Sequence, residues 1–401
     1  MSTPSSRGSS RRRFVQAAAV AGAAPLSAAK TEPTLANADV YTRLGVKPLI
    51  NGMGTVTVLG GSLMPPEVRR AMDDAARFFI HLPDLQRKVG ARLAELAGVP
   101  AAIVTAGAAS AITVATAASI TRGDKKRYHA LPDTAGMPNE ILQQKAHRSG
   151  YEAQMTLVGA KIVWVETLEE AERAIGPRTA MMFFLNKAGG DGRISRKDWI
   201  ALGRKHNVPL FNDAAADVPP SSRLSEYVKE GFDLVAFSGG KGLMGPQCSG
   251  MLLGRKDLIE AATPAISPAG GIGRGMKVGK EEMIGLLAAV ERFVKTDHQA
   301  EARLLDGRVA EILKVVGAVP GVRAEREVPR IANEVPHAAV TWDEKERKLT
   351  TQQVMDKLRD GDPPIAVLGR GPGRLMISVW MMRGNEHRTV ARRLKEILAN
   401  G

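Results

Sequence analysis

Short apolar runs alternate with amphipathic stretches along the chain after residue 100. Six runs have the length and composition of buried strands, at residues 101–107, 160–166, 179–185, 208–213, 232–238 and 249–254. Stretches with helical periodicity lie between them, for example at residues 168–176 and 195–207. Apolar strands that alternate with helices predict a mostly parallel sheet covered on both faces, and therefore an α/β fold.

The pattern changes after residue 280, where a long helical stretch covers residues 280–318. Three strand-like runs and a last helix follow it, at residues 337–344, 365–369, 374–380 and 385–400. This arrangement predicts a smaller α+β domain at residues 300–401, after a large domain at residues 39–299.

The first 38 residues have the layout of an export signal: a basic cluster, a short apolar run and then small residues. The apolar run at residues 14–29 is too short and too weakly apolar for stable membrane insertion. Ser10 to Val15, with Arg11 and Arg12, resembles a twin-arginine signal. We predict export to the periplasm, with cleavage after Ala29 or Ala38. A disordered basic tail is the alternative.

Composition narrows the function classes. Of 401 residues, 44% are hydrophobic and 24% charged, which is typical of a soluble globular protein. The net charge of +14 is scattered and aromatic residues are only 4%, so we expect no nucleic-acid partner. The single cysteine, Cys248, excludes an intrachain disulfide framework and a multi-cysteine metal site. We expect a buried, inert thiol and no metal.

Lys241 stands between small residues just after the strand-like run at residues 232–238. It is therefore expected at the carboxyl edge of the sheet, where open α/β sheets bind ligands. A lysine amine that is partly desolvated there has a lowered pKa and can act as a nucleophile. The alternative is a surface lysine that follows a glycine-rich turn.

Two other predicted strand ends carry complementary chemistry. Asp213 ends the run at residues 208–213, where a carboxylate can pair with a protonated pyridinium nitrogen, although an aspartate that caps a loop is the simpler interpretation. The small-residue turn at residues 105–110 precedes a helix, whose free N–H groups can bind phosphate. A phosphate turn, an aspartate and a lysine in this order indicate pyridoxal 5′-phosphate (PLP).

The segment FSGGKGLMGPQCSG, residues 237–250, resembles the cofactor-lysine segment of bacterial selenocysteine synthase (L-seryl-tRNA selenium transferase) and its relatives. The likeness extends over about residues 40–395 and includes residues 49–61, 85–112 and 208–216. These enzymes are fold-type I, aspartate-aminotransferase-like PLP enzymes. The resemblance therefore implies a seven-stranded-type sheet flanked by helices, with PLP as the cofactor.

The resemblance also implies roles for individual residues. Lys241 would form the Schiff base with PLP and shuttle a proton at the substrate's α carbon, while Asp213 would face the ring nitrogen. The further cofactor contacts that it implies are Gly107, Ala108, Ser110 and Ser238 at the phosphate, Ala215 beneath the ring, His147 on the other face, and Asn186 near the phenolic oxygen. A satisfied core or surface histidine is the alternative for His147.

Substrate and partner contacts follow from the same resemblance. It places Arg374 at the substrate carboxylate, since an arginine fork binds carboxylate in a bidentate manner, and Arg370 is the rival. Arg274 and Lys277 would reach the partner's active site, which implies a homodimer or a larger homo-oligomer.

Three departures separate this chain from the selenium transferases. Gly240 replaces an acidic residue, we expect no room for their additional N-terminal tRNA domain, and an exported protein would not meet charged tRNA. We therefore expect a PLP enzyme that acts at the α carbon of a small amino acid or amino-acid-like substrate, by lyase or racemase chemistry. The alternatives are transamination, selenium transfer, oxygen-dependent oxidation or decarboxylation, and a non-catalytic binding scaffold.

Overall fold

A computed structural model describes residues 39–400 of the chain. The predicted export signal, residues 1–38, lies outside the described residues. The short helix α1 (Asp39–Thr42) belongs to an N-terminal unit that ends at Pro48, and Leu49 begins the large compact unit. None of the helices within residues 39–400 has both the length and the apolar character needed to cross a membrane.

The strands of the large unit form two sheets. They are β1 (Ile50–Gly52), β2 (Ala101–Thr105), β3 (Glu140–Gln144), β4 (Lys161–Val165), β5 (Thr179–Leu185), β6 (Leu210–Asp213), β7 (Leu234–Ser238), β8 (Gly250–Gly254), β9 (Val322–Glu327), β10 (His337–Trp342), β11 (Ile365–Gly369) and β12 (Arg374–Ser378). The helices are α2 (Pro66–Ala76), α3 (Leu82–Ala97), α4 (Ala108–Thr121), α5 (Lys125–Ala130), α6 (Ala153–Thr156), α7 (Leu168–Ala174), α8 (Arg196–Lys205), α9 (Arg223–Glu230), α10 (Lys256–Ala262), α11 (Lys280–Phe293), α12 (His298–Val316), α13 (Glu344–Arg347), α14 (Thr351–Arg359) and α15 (Glu386–Ala399).

The larger sheet has seven strands in the order β2-β8-β7-β6-β5-β3-β4. Strand β8 runs antiparallel to both of its neighbours, β2 and β7, and all other adjacent pairs in this sheet are parallel. This mostly parallel sheet confirms the predicted α/β class. Because β5, β6 and β7 are parallel and adjacent, their last residues lie at the same edge of the sheet.

Helices cover both faces of the larger sheet. Side chains of α4 and α10 form one hydrophobic core, and side chains of α3, α8 and α11 form the other. Helix α4 is apolar around its whole circumference and almost entirely buried, as expected for a helix in the centre of a large domain. Its first turn follows β2 and therefore lies at the same edge as Lys241.

The smaller sheet has five strands in the order β1-β11-β12-β10-β9. Its edge strand β1 comes from the N-terminal part of the large unit and pairs in parallel with β11. The sequence pattern predicted neither β1 nor β9. The domain boundary between residues 299 and 300 stays a prediction.

Two other local features differ from the sequence pattern. The helical stretch at residues 280–318 is divided into α11 and α12, because the Asp297 carboxylate accepts the backbone N–H groups of Gln299 (3.0 Å) and Ala300 (2.9 Å) and begins a new helix. Strand β3 was not predicted because its sequence, EILQQ, ends in two polar residues. Both glutamines are buried and find hydrogen-bond partners in neighbouring loops.

Candidate active site

Lys241 lies in the turn that connects β7 to the antiparallel strand β8. The turn is closed by backbone hydrogen bonds, including that from the Met244 N–H to the Lys241 carbonyl (2.9 Å). A Cβ atom at position 240 would come within 2.7 Å of the Gln247 Cα, so this position has no space for a side chain. The glycines of this turn therefore allow the chain to pack closely against itself.

A cavity of about 330 Å³ opens beside Lys241 at the carboxyl edge of the sheet. Six of the residues predicted from the sequence line it: Gly107, Ala108, Asp213, Ala215, Ser238 and Lys241. Other lining residues, which sequence reasoning missed, include Thr57, Tyr151, Leu185, Lys187, Asp217 and Gln247. The structure thus brings the lysine, the aspartate and the small-residue turn to one site.

One end of the cavity is formed by the N-terminus of α4. Gly107 precedes the helix with φ at 131° and supplies no capping side chain, so the first N–H groups of α4 lack a partner within the helix. The Thr105 hydroxyl donates to the Gly107 carbonyl (2.9 Å) and fixes the turn. A Cβ atom at Gly250, the first residue of β8, would come within 2.6 Å of the Gly107 carbonyl carbon. Ser110 is buried in the first turn of α4.

Asp213, at the end of β6, is only 5% exposed. Its Oδ1 accepts the Ala215 N–H at 3.1 Å, whereas Oδ2 accepts no hydrogen bond from the residues that the structure describes. Burial raises the pKa of this carboxyl, and the nearby Lys241 amine opposes that rise. A buried carboxylate with a free oxygen at a cavity is suited to a cationic partner.

The Lys241 amine is partly buried, and burial lowers its pKa. The carboxylates of Asp213 and Asp217 act in the opposite direction, while the charge of Lys187 lowers the pKa further. The neutral amine is therefore more available than it is on an exposed lysine.

These features fit PLP. The helix N-terminus suits its phosphate, the free oxygen of Asp213 suits its ring nitrogen, and the Lys241 amine suits its aldehyde. The open space around Gly107, where an added Cβ would meet nothing within 4 Å, leaves room for an anion beside the backbone.

The structure does not place His147 at the cavity. Its side chain is 0% exposed, its Nδ1 accepts the Leu185 N–H (3.2 Å), and its ring packs edge-on against Phe184 at 4.6 Å. Burial lowers the pKa of His147 to about 4 and keeps the ring neutral. This position agrees with the alternative of a satisfied core histidine, and the stacking role of His147 stays a prediction.

Asn186 is buried and its amide is fully engaged. Its Nδ2 donates to Asp217 (2.7 Å) and to the Tyr227 hydroxyl (2.8 Å), and its Oδ1 accepts from Arg196 (3.1 Å). Asn186 does not line the cavity beside Lys241, and its predicted contact with the cofactor's phenolic oxygen stays a prediction.

Neither predicted carboxylate-binding arginine lines the cavity. Arg374, the first residue of β12, forms an ion pair with Glu327 on β9 at 2.5 Å, and Arg370 is exposed in the preceding turn. Arg274 and Lys277 are both exposed on the surface of this chain, and their contribution to a partner's site stays a prediction. Cys248 is exposed, so the expectation of a buried thiol is wrong.

Comparison with known proteins assigns the family. Residues 68–284 match the model of the family described as aminotransferase class-V. The chain belongs to the aminotransferase class-V family. PLP is accordingly its cofactor, and this member of the class-V family is an enzyme.

Two relatives of this class-V protein are similar over most of their length. A D-glucosaminate-6-phosphate ammonia lyase of Salmonella typhimurium (strain 14028s / SGSC 2262) is 32% identical over 343 residues, which cover 83% of this chain and 89% of the relative. A 5'-C-glycyluridine monooxygenase-decarboxylase of a Streptomyces species is 32% identical over 375 residues, which cover 89% of this chain and 92% of the relative.

A solved structure of a D-glucosaminate-6-phosphate ammonia-lyase superimposes with a TM-score of 0.77 and 30% identity, and the match covers 90% of this chain and 98% of that one. It supports the fold-type I architecture predicted from the sequence. The L-seryl-tRNA(Sec) selenium transferase of Moorella thermoacetica is also similar, at 26% identity over 327 residues, 70% of this chain and 65% of the relative. The resemblance read from residues 237–250 is thereby confirmed at the family level.

Proposed function

We propose that this class-V protein is a PLP-dependent lyase that acts at the α carbon of a small amino acid or amino-acid-like substrate. The observation that carries the proposal is the shared cavity of Lys241, Asp213 and the N-terminus of α4. Its similarity to an ammonia lyase over 83% of the chain supports lyase chemistry in preference to transamination or racemisation.

The chain's own residues have separate tasks in this reaction. When bound, PLP supplies an electron sink for the electron pair left at the substrate's α carbon. Asp213 holds the positive charge that strengthens this sink, and its burial excludes the water that would screen it. The Lys241 amine, with its lowered pKa, takes up the α proton near neutral pH.

The visible absorption spectrum of the purified protein tests the proposal. We expect a band that disappears on borohydride reduction and is missing from Lys241→Ala. Lys229→Ala, which removes an exposed lysine on α9, is the matched control and should keep the band. A wild-type protein that stays colourless with added PLP would refute the assignment of Lys241.

Oxygen-dependent decarboxylation is a second candidate, because the monooxygenase-decarboxylase is as similar as the ammonia lyase, at 32% identity. The two reactions differ in their need for oxygen. Ammonia release from amino acids without oxygen uptake would support the lyase, whereas oxygen uptake with release of carbon dioxide would support the decarboxylase.

We propose further that residues 1–38 direct export through the twin-arginine pathway to the periplasm. The basic cluster and the apolar run described above support this proposal. Replacing Arg11 and Arg12 by lysine should leave the precursor in the cytoplasm, as seen by fractionation. Unchanged export of the double variant would refute it.

We also propose that the enzyme is a homodimer in which Arg274 and Lys277 serve the partner's site. The exposure of both side chains supports this proposal. Lys241→Ala and Arg274→Ala, each inactive alone, should regain activity when the two are unfolded together and refolded, because a mixed dimer contains one complete site. Failure to regain activity would contradict the contribution in trans.

A further inference from the structure

A second buried carboxylate lines the cavity beside Lys241. Asp217, four residues after Asp213, is only 4% exposed. Its Oδ2 accepts hydrogen bonds from Asn186 Nδ2 (2.7 Å) and from the Tyr227 hydroxyl (3.3 Å). Its Oδ1 accepts no hydrogen bond from residues 39–400, and Asp217 lines the same cavity as Lys241.

Neutral donors hold Asp217, and the nearby cations are directed elsewhere. Arg223 donates to the Tyr227 hydroxyl (3.1 Å) and pairs with Glu334 (2.9 Å). Arg196, on the far side of Asn186, pairs with Glu230 at 2.8 Å.

The other charged side chains that line its cavity are Asp213, Lys187 and Lys241. Asp217 can therefore gain or lose a proton without breaking an ion pair.

We propose that Asp217 is a second acid–base residue of the active site, which donates a proton to the group that leaves the substrate while Lys241 removes the α proton. The proposal rests on the lyase function proposed above. It assigns the two proton transfers of an elimination to two different side chains, which line the same cavity.

The step balances in atoms and electrons. The pair of the Cα–H bond becomes the new C=C bond, the pair of the Cβ–X bond leaves with X, and X takes the proton from Asp217 Oδ1. Lys241 then carries one additional proton and Asp217 one fewer, and proton exchange through solvent in the cavity restores both. The step needs no further oxidant or reductant.

The electrostatics of the site agree with this geometry. Burial raises the pKa of Asp217 to about 6, and the charge of Asp213 adds to the rise, while hydrogen bonds from Asn186 and Tyr227 and the charge of Arg223 oppose it. An aspartic acid that titrates near neutral pH can act as an acid, which an ordinary exposed aspartate cannot.

The test compares two leaving groups with and without the Asp217 carboxyl. Pyruvate formation is measured from both enantiomers of serine, whose hydroxide must be protonated to leave, and of β-chloroalanine, whose chloride needs no proton. Asp217→Asn keeps the side chain's shape and its acceptor for Asn186. We expect it to lower kcat with serine by about 10²- to 10⁴-fold and to change kcat with β-chloroalanine by less than about threefold.

The outcomes separate the proposal from the function on which it rests. Equal loss with both amino acids, or no loss with either, overturns the role of Asp217 and leaves the lyase intact. Absence of pyruvate from both amino acids with the wild-type enzyme overturns the elimination and, with it, this role. Asp306→Asn, which removes a partly exposed carboxylate on α12 that pairs with Arg326 away from the cavity, is the matched control and should behave as wild type.

Two further measurements test Asp217 without relying on a loss of turnover in a variant. In wild type, kcat/KM with serine should fall as pH rises above about 6, and Tyr227→Phe, which keeps the carboxyl but removes a donor that lowers its pKa, should move this limb to higher pH. Infrared difference spectra of the holoprotein between pH 5 and 7 should show a carboxyl band that Asp217→Asn lacks. Identical spectra for both proteins would refute the proposal.

Discussion

Two buried aspartates of the larger sheet have nearly equal exposure and opposite surroundings. Asp213, at the carboxyl end of β6, and Asp233, at the amino end of β7, are each 5% exposed. Both oxygens of Asp233 are used, since Oδ2 accepts the Leu210 N–H (2.9 Å) and Oδ1 accepts from Arg255 (3.0 Å).

Asp213 keeps Oδ2 free at a cavity that it shares with Lys241. Burial alone therefore does not distinguish a structural carboxylate from a functional one. The distinguishing feature is the lone pair that the protein leaves unsatisfied where a ligand can reach it.

Among the tests of this comparison, the largest effect should follow from Asp213→Asn. We expect kcat/KM to fall by about 10²- to 10³-fold, the scale of one preorganised electrostatic partner. Stability of the cofactor-free protein at pH 7 should not fall. Because burial raises the pKa of Asp213, the folded protein loses stability as pH rises through that pKa and the carboxyl ionises. A neutral amide at this position removes that loss.

Kinetics and urea unfolding of the cofactor-free variant measure the two effects of Asp213→Asn separately. A variant that is both active and less stable would place Asp213 with Asp233, among the structural carboxylates.

Gly250→Ala extends the comparison to the other end of the cofactor. The new methyl group would lie against the Gly107 backbone, and such overpacking costs about 1–3 kcal/mol, which would weaken PLP binding by about 5- to 150-fold. Gly176→Ala, where the methyl group meets nothing within 4 Å, is the control. Titration of the visible band gives both affinities, and equal values would contradict a phosphate site at Gly107.

Asp233→Asn should show the opposite behaviour to Asp213→Asn. We expect the free energy of unfolding to fall by about 1–2 kcal/mol, a value kept low because Arg255 is partly exposed and water screens its charge. The visible band and the turnover should be those of wild type. Loss of the visible band would show that removing any buried carboxylate from this sheet disturbs the cofactor site.

The smallest effect concerns His147, whose polar atoms are satisfied in the core as those of Asp233 are. Because the pKa of His147 is about 4, its ring should stay neutral between pH 5 and 8. Its ring-proton NMR signals should not shift over this range. A titration midpoint near 6.5 would contradict the buried position and reopen a role at the cavity.

Sequence reasoning succeeded where the chemistry lies at strand ends. Apolar runs locate strands, and parallel strands end at the same edge of a sheet, so the sequence alone places Lys241, Asp213 and the turn at Gly107 together. The fold class followed from the same alternation of apolar runs and helical stretches.

Sequence reasoning failed for side chains whose direction depends on distant partners. The ring of His147 is turned towards Phe184, and Arg374 is held by Glu327, 47 residues away in the chain. No sequence pattern indicated a functional role for Asp217, because it follows three alanines in a loop and does not end an apolar strand. Its nearness to Asp213 was the one available signal.

The short return from Lys241 to Gly250 has an evolutionary consequence. The same ten-residue stretch carries Lys241, the amine proposed to bind one end of the coenzyme, and Gly250, which touches the turn proposed to bind the other end. Homologues with a bulkier residue at the start of β8 must carry a compensating change in the turn before α4. The residues at positions 107 and 250 should therefore covary among homologues, while the sequence between Lys241 and Gly250 is less constrained.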